Sequence, residues 1–172
     1  MPPDLPSLWT TLCFLPFVTL IGLWVAWSDL KFMTIPNSAV LSLLAVWAVI
    51  GPIAVPLQTY AFGWGAGLAV LVVGFLLASL GQIGAGDAKF AAAMAPFFAG
   101  SDLRFVFLLA ATCILAGFIT HRALRALAPL RRAVPDWASW TDRNFPMGFS
   151  LAGILWLFFL CALIVNLVAP QP

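Results

Sequence analysis

Two aspartates stand out as residues that could do chemistry. All six acidic residues of the chain are Asp, at positions 4, 29, 87, 102, 136 and 142. Asp4, Asp102, Asp136 and Asp142 fall in tails or loops, where solvation accounts for them. Asp29 follows Trp27 and Ser28 at the end of an apolar run, and Asp87 follows Gly84-Ala85-Gly86 at the start of another. Both are therefore expected at a membrane boundary, where ionisable groups are costly and tend to be functional. Two carboxylates that meet can run acid/base hydrolysis. Like charges close together cannot both ionise easily, so the pair holds one proton near neutral pH. The ionised member takes a proton from water, which attacks a carbonyl, and the protonated member donates to the oxyanion or the leaving amine. Such a pair titrates as a unit, so neither role belongs to one residue.

These acids sit in a chain that composition assigns to the bilayer. Of the 172 residues 63% are hydrophobic, with a mean hydropathy of +1.07, and only 8% are charged, against about 25% in a soluble domain. A soluble fold of this length could not hide that much apolar surface, whereas lipid acts as its solvent. The length suits a single integral-membrane domain over 1–172. A net charge of +2, thinly spread, gives no reason to expect nucleic acid. Cys13, Cys113 and Cys161 lie in separate apolar runs with no CxxC pair, so they are read as small apolar side chains. No basic residue precedes Lys31, which disfavours a cleaved signal and favours a retained first helix.

Punctuation divides the chain into an all-α, polytopic array of about six transmembrane helices. Expected spans are 8–27, with Pro16 as a tolerated kink, then 38–55, 61–80, a short run at 88–99, 103–120 and 147–169. Polar or glycine-rich breaks at 29–37, 81–86 and 121–144 separate several of them. Gly63 and Gly67 form a small-xxx-small pair suited to close helix approach, within one chain or between two. Under this count Lys31, Lys89, Arg122, Arg125, Arg131, Arg132 and Arg143 share one side and only Arg104 lies on the other. The positive-inside rule then puts the seven in the cytoplasm and both termini outside.

Around the acids, Gly84 and Gly86 let the backbone adopt positive φ or pass close to another chain. The bland alternative is a connecting turn with an Asp cap. Pro36 and Asn37 are expected to end the first loop and cap the second helix, holding Asp29 in place. Lys89 either steadies Asp87 or positions substrate, or else snorkels to the interface. His121 is expected at the interface, Arg122 to Arg132 against anionic lipid, and Trp137 and Trp140 as surface anchors of that loop.

In combination, the motifs resemble the type IV prepilin peptidases, GxGD-type aspartyl proteases of the bacterial inner membrane. Asp29-Leu30-Lys31-Phe32-Met33-Thr34-Ile35-Pro36-Asn37 resembles the family's D-x-x-x-x-x-IPN pattern. Gly84-Ala85-Gly86-Asp87-Ala88-Lys89 resembles its GxGDxK. Pro146-Met147-Gly148-Phe149-Ser150-Leu151-Ala152 is similar to a weaker PxGxxLA signature. The resemblance implies that Asp29 and Asp87 are the catalytic pair, supported by Gly84, Gly86, Lys89, Pro36 and Asn37. It implies cleavage of a short basic leader from pilin-like precursors at the cytoplasmic face. Bifunctional relatives carry a cysteine-rich insert and also N-methylate the pilin. This chain lacks the insert and looks like the small peptidase-only branch of tight-adherence (Flp-type) systems, with no cofactor, neither zinc nor S-adenosylmethionine. Two other classes stay open on the residues alone. One is a small transporter with ion-coupling carboxylates, although no internal repeat supports it. The other is a non-catalytic assembly subunit. Oligomeric state is not legible.

Overall fold

The computed structural model describes residues 4–168, and among them the regular secondary structure is entirely helical. The helices are α1 (Leu8–Phe32), α2 (Asn37–Ala54), α3 (Leu57–Ser79), α4 (Ala85–Met94), α5 (Leu103–Ala126), α6 (Ala128–Ala133) and α7 (Met147–Val168). Short 3₁₀ turns follow α4 at Ala95–Phe98 and precede α7 at Ala138–Trp140. Five helices (α1, α2, α3, α5 and α7) are long and apolar enough to cross a membrane. The 25 residues of α1 rise about 37 Å, more than a hydrocarbon core needs. Many large apolar side chains point outward from these helices, such as Leu20, Val49, Phe75 and Phe107. In a bilayer such positions meet lipid.

The short run expected at 88–99 is the exception to the span lengths. It forms the ten residues of α4 and a four-residue 3₁₀ turn, too short to count among the long spans. It nevertheless carries the chain from one end of the bundle to the other. It starts at the end where α1 finishes. Beyond it Gly100 packs on Thr59 at the start of α3, and the Asp102 N–H donates to the Asp4 carbonyl at 3.1 Å. Packing compensates for its length: Ala88, Phe90, Ala92, Ala93 and Met94 are all buried in the bundle. The chain thus passes between the two ends six times with five long helices, and the charge alternation survives. The seven cations gather at the end where α1 and α3 finish, and Arg104 lies at the other.

Three of the expected boundaries move by four residues or more: α3 starts at Leu57 rather than 61, and the ends of α1 and α5 also shift. The first helix continues past residue 27 to Phe32, so Asp29 is helical and the following loop shrinks. Lys31 in the last turn complements the helix dipole. Met33, at φ 52°, closes the helix by donating its N–H to the Asp29 carbonyl at 2.9 Å. α5 likewise runs on through His121 to Ala126.

The glycine pair of α3 packs within the chain. A side chain at Gly63 would collide with the Trp47 ring of α2, and at Gly67 it would meet the Ala92 carbonyl at 3.2 Å. At the end remote from the acids, Phe14, Trp47, Phe97 and Phe159 stack edge and face with centroids 5.0–6.3 Å apart. That cluster joins α1, α2, the 3₁₀ turn and α7, and leaves the opposite end to carry the polar groups.

Candidate active site

Asp29 and Asp87 line the same cavity, of about 770 Å³, at the cationic end of the bundle. Thr34, Asn37, Lys89 and Phe145 also face it. Asp29 comes from the last turn of α1 and is 5% exposed. Asp87 comes from the first turn of α4. Its carboxyl is pushed up to about 6, chiefly by burial and then by the Asp29 charge, with the Gly84 backbone N–H offsetting part of the rise. Both carboxyls thus face one common space.

The start of α7 holds Asp29 in place. The Phe149 N–H donates to Asp29 Oδ2 at 3.2 Å, and the Gly148 N–H also faces that carboxyl. The first N–H groups of a helix have no partner within it. A carboxylate from α1 caps α7 from outside, where the helix dipole favours negative charge. Gly148 makes this approach possible. A Cβ there would lie 3.0 Å from Asp29 Cγ and 2.8 Å from Ile35 Cδ1. Ile35 is itself buried. The third motif thus supplies a site element, through backbone atoms that reading side chains alone did not select.

The glycines of the second motif do not take positive φ, one of the two roles expected of them. Gly84 is extended, at φ −69°, and caps α4 by its backbone. Gly86 lies inside α4, so neither uses positive φ. The left-handed glycine in this stretch is Gly81, at φ 71°, which turns the chain after α3. Gly84 matters for space, because a Cβ there would fall 2.6 Å from Asp87 Oδ2. Gly86 lies against the loop from α1, where a Cβ would meet Ile35 at an ordinary 3.6 Å. Asp87 is the third residue of α4 and not its cap.

Pro36 is the N-cap of α2, and no side-chain hydrogen bond caps that helix. Asn37, expected to cap it, accepts instead from Lys89 Nζ at 3.4 Å. Lys89 thus bridges α4 to α2 across the cavity rim. The loop between α1 and α2 is tied down by Ser28 Oγ donating to the Thr34 carbonyl at 2.8 Å.

Asp142, first read as a solvated loop residue, also lines the cavity. Its carbonyl accepts from Arg125 Nη1 at 3.1 Å, and its Oδ1 accepts from the Asn144 N–H at 2.8 Å. The loop that carries it is pinned from below. His121 is buried, 5% exposed, and stacks on Trp140 with centroids 5.7 Å apart. Trp140 is buried as well and stacks on Trp137. His121 and Trp140 are therefore packing residues that hold the wall of the site, not interfacial anchors. Periodicity could not reveal this, because α5 was expected to end before His121.

The arrangement is two carboxyls lining one cavity of about 770 Å³ at the mouth of a membrane bundle, with backbone N–H groups fixing one of them. Residues 14–120 match the type IV leader peptidase family, a stretch that contains both Asp29 and Asp87. No curated protein and no solved structure matches the chain. The match covers well over half of the sequence, and the chain belongs to the type IV leader peptidase family.

Proposed function

We propose that this multi-pass membrane peptidase is an aspartyl endopeptidase that removes the basic leader from pilin-like precursors, with Asp29 and Asp87 as its catalytic pair. The observation that carries the reading is the shared cavity lined by both carboxyls, where burial and then the Asp29 charge raise the proton affinity of Asp87. One carboxylate takes a proton from water, whose oxygen bonds to the scissile carbonyl carbon. The C–N bond then breaks as the other carboxyl gives its proton to the amine. The pair ends with its proton exchanged between partners, and transfer across the cavity restores it. Lys89, Asn37 and Pro36 keep the α1–α2 loop and α4 in register, while Gly84 and Gly148 leave room for the two carboxyls. The gathering of Lys and Arg at this end supports a cytoplasmic position for the site in the inner membrane. The absence of a cysteine-rich insert from the sequence supports a peptidase without methyltransferase activity, as in the Flp-type branch.

The test is cleavage in liposomes of a precursor with a basic leader. Wild type is expected to shorten it, and Asp29→Asn and Asp87→Asn to lose at least about a thousandfold in rate while staying folded. Cleavage by either variant at the wild-type rate rejects the catalytic assignment.

A further inference from the structure

An apolar groove of about 350 Å³ opens on the bundle surface between α1 and α7. Its α1 wall is Thr19, Gly22, Leu23 and Ala26. Its α7 wall is Phe149, Ala152, Gly153 and Trp156. Each wall follows the i, i+3, i+4, i+7 spacing of a single helix face. The two helices are antiparallel: Phe149 of α7 meets Asp29 at one end, and Asn166 Nδ2 donates to the Pro6 carbonyl at 3.0 Å at the other. Both walls therefore start together at the candidate active site and descend into the bilayer together. Ala26 lies one turn below Asp29. Phe149 belongs to both places, since its N–H binds Asp29 and the residue lines the groove.

We infer that this groove docks the apolar helix of the substrate on the membrane side of the scissile bond, an inference that rests on the leader-peptidase reading. A chain cut at the depth of Asp29 must continue into hydrocarbon, where its backbone has to be helical and its side chains apolar. The groove is the right depth and direction for such a helix. Its floor is small: a Cβ added at Gly153 meets nothing within 4 Å, and one at Gly22 meets Ala152 at an ordinary 3.8 Å. Close backbone approach over small residues is how helices associate in lipid, where hydrophobicity alone gives no drive. A second apolar groove, bordered by Val40, Leu44, Leu68 and Leu71, shares Lys89 with the active-site cavity. Its volume is about 430 Å³, but its floor is tighter, because a Cβ at Gly67 would meet the Ala92 carbonyl at 3.2 Å and Pro96 at 3.3 Å.

Gly153→Leu fills the α1–α7 groove in space that the fold leaves empty. Gly65→Leu is the matched control, since a Cβ at Gly65 also meets nothing within 4 Å and that residue is remote from both acids. Each variant in liposomes is given two substrates: a full precursor, and a peptide that spans the cleavage site but lacks the apolar helix. For Gly153→Leu the ratio of kcat/KM on precursor to that on peptide is expected to fall about fivefold to tenfold through KM. Gly65→Leu leaves the ratio unchanged. An unchanged ratio for Gly153→Leu, whether both rates hold or both fall, overturns the inference. A photoreactive residue at position 153 in the Asp87→Asn background is expected to capture the precursor's apolar segment. Capture of lipid alone, or capture of precursor from position 71 and not 153, overturns it too. If wild type cleaves neither substrate the peptidase reading fails, and the crosslink still decides the docking.

Discussion

Replacing Gly148 by alanine adds one methyl group at the point where α7, Ile35 and Asp29 converge. The new Cβ would lie 3.0 Å from Asp29 Cγ and 2.8 and 2.9 Å from Ile35 Cδ1 and Cγ1. Carbon atoms in contact prefer about 3.5–4.0 Å, so something must move by at least about 0.5 Å. Ile35 is 7% exposed and has little room to retreat. The displacement therefore falls partly on the Asp29 carboxyl, and the 3.2 Å bond from the Phe149 N–H weakens. Catalytic groups need to be held within about 0.5 Å of their working geometry, and misplacement by about 1 Å costs around a hundredfold in rate. Gly148→Ala is thus expected to lower kcat by roughly 10- to 100-fold, with KM for the precursor little changed. Overpacking should also cost about 1–3 kcal/mol of stability. Steady-state cleavage in liposomes gives the first quantity and thermal unfolding in detergent the second. Gly65→Ala supplies the comparison: it is also a glycine inside a helix, but it has open space around it, so kcat should hold and helix propensity should rise slightly. A Gly148→Ala enzyme with wild-type kcat would refute the reasoning that this glycine makes room for Asp29.

Asp87 predicts a dependence on pH. Its folded pKa, raised from 3.8 to about 6, means that the folded protein holds this proton more tightly than the unfolded chain. Stability from that proton is present below about pH 4 and is lost as pH rises to about 6. Asp87→Asn should remove this slope from a plot of unfolding temperature against pH, and the wild-type cleavage rate should fall above about pH 6 as the shared proton leaves. A second prediction concerns the loop carrying Asp142. Arg125→Ala deletes the bond to the Asp142 carbonyl, a charge-assisted contact worth about 1.5–3 kcal/mol. Residues 134–146 should then exchange amide hydrogen faster, and KM should rise more than kcat falls.

The amino-acid sequence by itself determined the class of the molecule. Apolar runs interrupted by polar and glycine-rich breaks dictate helices and a bilayer, because hydropathy and periodicity act locally. The motifs around Asp29 and Asp87 are also local, so both acids and their glycines could be found without coordinates. The folded structure decided what lies beyond a few residues' reach. The 25-residue α1 outlasts its apolar run and takes Asp29 into its last turn. The short α4 segment completes a crossing because buried neighbours compensate for its length. Asp142 joins the site through a loop that is held by the stacking of Trp140 on His121 of α5. The clearest case is Asp29 and Phe149, 120 residues apart, joined by a backbone N–H. A main-chain donor has no side-chain signature, and only the packing of α7 against α1 brings it to the carboxylate.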